Sequence, residues 1–169
     1  MIDDTVQAAR RSAVRSVALV GVLAVCFGVL PLQGDRWWLG VLIGSAVLAA
    51  MVPLTVRRVR RVLGSDRPGL EALEALVLLS GMLVVGFAAI YFAMNRDGDQ
   101  LAGLDTRIDA LYFTVTTLST VGFGDITASG QAARLVVTVQ ILCNLVFVGI
   151  AVRVFVGAAR RAGRRTSDT

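Results

Sequence analysis

An all-α membrane protein, with four transmembrane helices and a short re-entrant helix and loop between the third and fourth, is what this sequence predicts. Three observations carry that expectation. Of its 169 residues 56% are hydrophobic and the mean hydropathy is +0.73, far above a soluble domain and matched to the bilayer as solvent. Four apolar stretches, 17–32, 37–56, 73–94 and 135–156, each approach the length a helix needs to cross. Between the last two lies a shorter apolar run that ends in Thr120-Val121-Gly122-Phe123-Gly124-Asp125.

Taken in order, residues 1–16 form a basic leader and 17–56 a hairpin of two spans. The linker 57–69 is rich in arginine, 70–156 hold the third span, the short helix, the glycine loop and the last span, and 157–169 are a short basic tail. The first span is the shortest and stops at Pro31. A signal peptide competes for it, given Arg10, Arg11 and Arg15, but no small-x-small cleavage site follows. Pro53 is placed to kink the second span near its inner end. The third span opens on Ser65-Asp66-Arg67-Pro68-Gly69, with proline near the first helical position and Glu71 and Glu74 close to its positive end. Residues 95–103 read as a polar, glycine-containing loop. Thr106-x-x-Asp109 is a capping-box-like start for the run 110–118, a helix of about three turns and too short to cross. The last helix is expected over 131–157.

All 17 basic residues are arginine, and their placement sets the orientation. Thirteen lie in the leader, the 57–69 linker and the end of the chain; only Arg36, Arg96, Arg107 and Arg134 fall on the other side. The positive-inside rule then places both termini in the cytoplasm and the glycine loop outside. Trp37 and Trp38, and Tyr91 with Phe92, are expected at the outer interface, where amphipathic rings settle. Arg57, Arg58, Arg60 and Arg61 cluster after their span ends and do not repeat every third residue within it, so they read as a topology anchor and lipid-facing cluster and not as a voltage sensor. Arg160 and Arg161 extend the same surface toward anionic lipid. A net charge of +5 distributed in this way argues against nucleic acid as a partner. Cys26 and Cys143 fall inside spans and imply no disulfide framework. Histidine is absent, and with it imidazole metal sites and histidine acid-base catalysis. No nucleophile-base constellation replaces it, so the chain does not read as an enzyme.

The loop reads as an ion selectivity filter. A filter for a dehydrated cation needs successive backbone carbonyls turned to one axis, which requires alternating dihedrals, and Gly122 and Gly124 supply left-handed values at little steric cost. Thr120 adds a hydroxyl at the inner end, while Val121 and Phe123 turn their side chains outward to pack behind the carbonyls. The short helix would aim its partly negative C-terminus at the same point, and Asp125 at the outer mouth would concentrate cations.

These residues resemble the potassium-channel signature, T-V-G-Y-G in its commonest form, with Phe123 where tyrosine usually stands. The resemblance covers the pore module at 70–156, about half the chain, and implies a homotetramer in a lipid bilayer, because one filter segment is a quarter of a fourfold ring. It implies potassium ions held by Thr120, Val121, Gly122 and Phe123, with Gly124 permitting the turn and no other cofactor. By the same resemblance Tyr112 and Phe113 are the pair of aromatics on the pore helix that braces the filter. Thr116 stands where some members hold a carboxyl against the aspartate after the filter, so Asp125 is expected to lack that partner. Arg134 follows Asp125 by the interval found in simple bacterial potassium channels. The position of the family's hinge glycine is occupied by Asn144, leaving Gly149 as hinge candidate. Gln140 and Asn144 share a helical face and would either line a cavity or bond between helices; Val148 and Val152 continue that face as a candidate apolar gate.

Potassium conduction through a homotetrameric pore is thus the expectation, with a weakly selective cation channel or a non-conducting accessory subunit as alternatives. A small multidrug or proton-coupled transporter is disfavoured, since it needs an ionisable residue near mid-membrane. The basic tail is expected to carry no regulatory module. The alanine-, valine- and arginine-rich composition suggests a bacterial gene and hence the inner or plasma membrane, multi-pass.

Overall fold

The computed structural model describes residues 37–63, 68–96 and 99–167, with five isolated helical positions at 14, 18, 21, 22 and 25. The expected first span at 17–32 otherwise lies outside the described residues.

Four helices and one minimal β-pair make up the described chain: α1 (Trp37–Leu63), α2 (Pro68–Arg96), β1 (Leu101–Ala102), α3 (Arg107–Leu118), β2 (Thr127–Ala128) and α4 (Gln131–Ser167). The protein is an all-α membrane protein. Three helices are long and apolar enough to cross, over Trp38–Arg58, Leu73–Asn95 and Gln131–Arg153. Proline at the first position of α2 fits a helix start, where its missing N–H has no partner to lose. Pro53 lies inside α1, which continues through it. Past the apolar part of α4 the helix runs on to Ser167, through an alanine- and arginine-rich stretch with no proline to stop it.

Helix α2 is the keystone. Its apolar window is 72% buried, against 11% for each of the other two crossings, because α1, α3 and α4 all pack on it. The α1–α2 contact is a crossing of small residues. A Cβ added to Gly44 would lie 2.6 Å from the Gly86 carbonyl oxygen and 2.6 Å from Ile90 Cγ1, so the two backbones touch where side chains would hold them apart. Toward the end of α1 and the start of α2, Arg58 of α1 reaches Glu74 of α2 at 3.6 Å, with both side chains largely buried. Glu74 is therefore paired with an arginine of the neighbouring helix. Arg57 is exposed beside it, while Arg60, Arg61, Arg160 and Arg161 are placed on the helical backbone of α1 and α4.

Two sequence expectations are corrected. Tyr91 is not an interfacial ring: it is fully buried, edge-on to Phe113 with centroids 5.0 Å apart, in the core formed by α2, α3 and the loop around Leu101 and Leu104. Phe92 is also buried, with the Arg107 guanidinium 5.3 Å above its ring. The segment after α2 is in turn more than a polar loop. Leu101 and Leu104 sink into the core, and β1 pairs antiparallel with β2, Leu101 opposite Ala128 and Ala102 opposite Thr127. Asn95 anchors the fold-back, its carboxamide oxygen accepting from Leu101 N at 2.7 Å and its nitrogen donating to Leu104 O.

Candidate functional site

Helix α3 begins with both halves of a capping box. Asp109 N donates to Thr106 Oγ1 at 3.2 Å, and Thr106 N donates to Asp109 Oδ2 at 2.7 Å. Those donors, Thr106 backbone first, hold the Asp109 carboxyl below its ordinary range. The helix lasts 12 residues and ends in a tight reversal. Ser119 N donates to Val115 O at 2.9 Å, Thr120 N to Thr117 O at 3.2 Å, and the Thr116 carbonyl takes two donors, Val121 N at 2.9 Å and Gly122 N at 3.3 Å. Thr116 therefore supports the loop through its backbone. Its hydroxyl, like that of Thr114, bonds back into its own helix.

Beyond this reversal the backbone alternates. Thr120, Gly122 and Gly124 have φ of 59°, 54° and 81°, whereas Val121 and Phe123 between them are not left-handed. Thr120 is the informative member, because a β-branched residue at positive φ is strained. An added Cβ at Gly122 or Gly124 would meet nothing within 4 Å, so at these two positions the dihedral alone favours glycine.

The aromatic pair divides its work. The Tyr112 ring stacks on Phe123, centroids 6.3 Å apart and planes 3° from parallel, and the nearby Asp125 carboxylate raises the pKa of its phenol. Phe113 turns the other way, onto Tyr91. Asp125 accepts from Ile126 N at 3.1 Å. Behind it stands Gly103, at φ 82°, where an added Cβ would come within 2.8 Å of the Asp125 carbonyl oxygen. Further out, Ser129 N and Gly130 N both donate to Gln100 O at 3.0 Å, and Arg134 Nε donates to Ala128 O at 3.1 Å. The loop exit is therefore backed by the fold-back that follows α2.

On α4, Gln140 and Asn144 are 1% and 4% exposed and bond between helices. Gln140 Nε2 donates to Thr114 O at 3.1 Å while its Oε1 accepts from the Tyr91 hydroxyl at 2.5 Å; Asn144 Nδ2 donates to Thr117 O at 3.2 Å. Neither lines a cavity within this chain. Val148, Gly149 and Val152 lie further along α4, exposed on the single chain. Asn95 and Gly103 are residues to which sequence reasoning gave no role of their own, and Tyr91 is one that it placed at the interface. Gly103 alone carried a local signal, a glycine between two buried leucines.

Three apolar crossings, a capped helix too short to cross and a loop of alternating dihedrals define an α-helical membrane protein with a re-entrant segment. Residues 78–161, running from within α2 to α4, match the family model described as "Ion channel". The chain is 38% identical over 91 residues to two pore potassium channel b of Oryza sativa subsp. japonica, covering 53% of this chain and 23% of that one. It is 30% identical over 103 residues to a Rhodopseudomonas palustris sequence whose name contains the words potassium channel protein (61% and 24%). Against two-pore potassium channel 1 of Arabidopsis thaliana the identity is 33% over 78 residues (45% and 20%). These matches are to proteins of a potassium channel family. The matches span about a quarter or less of each relative's length. No solved structure gives a significant match.

Proposed function

We propose that four copies of this chain surround a central axis and conduct potassium passively and selectively, with residues 120–124 as the filter. The observation that carries this reading is the alternation of φ at Thr120, Gly122 and Gly124, the backbone condition for turning consecutive carbonyls to one side. Thr120, Val121, Gly122 and Phe123 would offer the oxygens that replace a potassium ion's water. Strain at a non-glycine residue gains a reason if the Thr120 hydroxyl closes the innermost site, since glycine would relieve the strain and remove the oxygen. Asp125, four copies of which would ring the outer mouth, adds a cation-attracting field. Val148 and Val152 form an apolar constriction in this assembly, with Gly149 as the hinge beside it. Both termini face the cytoplasm of a bacterial inner or plasma membrane, and the arginines from Arg57 to Arg61, with Arg160 and Arg161, contact anionic lipid.

The test is a reversal potential. Purified protein in a planar bilayer with potassium on one side and sodium on the other is expected to reverse near the potassium equilibrium potential. Gly122→Ala is expected to abolish that current, since φ 54° is unfavourable for any residue with a Cβ by about 1–2 kcal/mol. Robust current reversing near zero would replace this reading with a weakly selective cation channel; silence under all voltages and lipids would replace it with an accessory subunit.

A further inference from the structure

Two buried carboxamides of α4 grip the helix that carries the loop, and they do so at its carbonyls. Gln140 lies at a junction of three helices: Nε2 donates to Thr114 O of α3, and Oε1 accepts from the Tyr91 hydroxyl of α2. One turn further on, Asn144 Nδ2 donates to Thr117 O. Because a carbonyl can only accept, the nitrogen of Asn144 must be the atom facing Thr117. That leaves its Oδ1 buried, with no partner among the described atoms. A leucine would fill comparable volume without a stranded acceptor, so packing alone does not account for asparagine here.

The position of these bonds matters more than their number. Thr117 O belongs to the last turn of α3, where the helix's own donors run out, and it also accepts Thr120 N at 3.2 Å. The adjacent Thr116 O accepts Val121 N and Gly122 N. A displacement of α4 at Asn144 is therefore passed to Thr117, and from the end of α3 directly to the first three residues of the loop. Little water is present in a membrane interior to substitute for a lost partner, so such a bond has few local alternatives.

Resting on the channel reading above, we propose that Gln140 and Asn144 are positioning residues that couple the pose of α4 to the conductive geometry of residues 120–122. The filter entrance and the inner helix then move as one unit, and the filter is held open by α4 and not only by the ions within it. Removing the tie leaves a filter that depends more heavily on bound potassium to keep its carbonyls in place.

The experiment measures steady potassium current in bilayers as external potassium is lowered, for wild type, Asn144→Leu, Gln140→Leu and the control Thr138→Val. Thr138 is on the same helix and bonds only to Arg134 O of its own helix. Losing one tie is expected to raise the potassium concentration that sustains half the current by about fivefold, the factor corresponding to one modest hydrogen bond. Thr138→Val should leave it unchanged, and potassium over sodium selectivity should persist in all surviving channels. Asn144→Ser, which keeps a donor on a shorter side chain, should fall between and covers the case in which leucine prevents assembly. A purely structural role would lower the melting temperature of the assembly yet leave the potassium dependence at wild type, and that result overturns the proposal. A wild type that conducts no potassium overturns the channel reading first, so the two failures are distinguishable.

Discussion

Replacing Gly44 with alanine asks whether α1 is part of the structural unit or only an appendage to it. The added Cβ would lie 2.6 Å from the Gly86 carbonyl oxygen, and that oxygen is backbone, unable to rotate away as the end of a side chain can. Ile90 Cγ1, also at 2.6 Å, could change rotamer, but the carbonyl contact would remain. Relief to an ordinary separation requires α1 and α2 to part by roughly 1 Å, and overpacking of this kind costs about 1–3 kcal/mol. Alanine restores about 1 kcal/mol of helix propensity over glycine. Since the contact is with backbone, the upper half of the overpacking range applies, and a net loss of about 1–2 kcal/mol is expected. At about 2–4 °C per kcal/mol for a chain of this size, thermal melting in detergent should register a fall of several degrees. Gly149→Ala is the internal comparison, because nothing lies within 4 Å of its added Cβ in the single chain and the propensity gain should stand alone. If Gly44→Ala proved as stable as wild type, or more so, the close crossing of α1 and α2 would be refuted.

Four further outcomes follow from particular contacts. Glu74→Leu should destabilise the assembly by up to about 3 kcal/mol through loss of its largely buried contact with Arg58, while Arg58→Met together with Glu74→Leu should cost less than the sum of the single changes in a melting cycle. Thr106→Ala should cost about 1 kcal/mol through loss of the α3 cap. The Asp109 carboxyl is held below its ordinary value of 3.8, so its stabilising contribution is fully present above that pH and is lost as pH falls through the lower folded value. The melting difference between wild type and Asp109→Ala should accordingly shrink only in acid. Asp125→Asn should bring the Tyr112 phenol back toward its ordinary value of 10.0 in an ultraviolet titration, whereas a Tyr112 that titrates identically in both proteins would exclude an influence of Asp125 on the phenol.

What could be read in advance follows from how local each signal is. The three described crossings were visible because hydropathy sums over some twenty residues. The start of α3 was visible because a capping box places both of its partners within four positions, Thr106 and Asp109. The left-handed residues at 122 and 124 were visible because glycine marks them; the same dihedral at Thr120 left no mark in composition. The inward turn of Tyr91 was hidden for a different reason. A helix apolar on every side does not declare which face meets protein and which meets lipid, and its partner Gln140 stands 49 residues away. Strands of two residues have no period at all, so β1 and β2 could be found only once the chain was folded.

The site is incomplete on one chain, and that incompleteness is itself an argument. Phe123 is 70% exposed and Val121 53%, although a filter requires its outward side chains to be walled in if the carbonyls are to hold a fixed radius against a desolvated ion. Tyr112 supplies one wall by stacking on Phe123; among the described residues nothing covers Val121 or the far face of that ring. Helix α4, only 11% buried over its apolar window, presents Leu142, Leu145 and Val146 outward as well. Lipid could cover α4, but fluid acyl chains would be a poor wall for the loop, which lies beyond the end of a helix too short to cross. A neighbouring copy would place ordered side chains there. The assembly proposed for conduction is thus also what would convert these exposed side chains into a core, and cross-linking at position 123 should yield oligomers if that core forms.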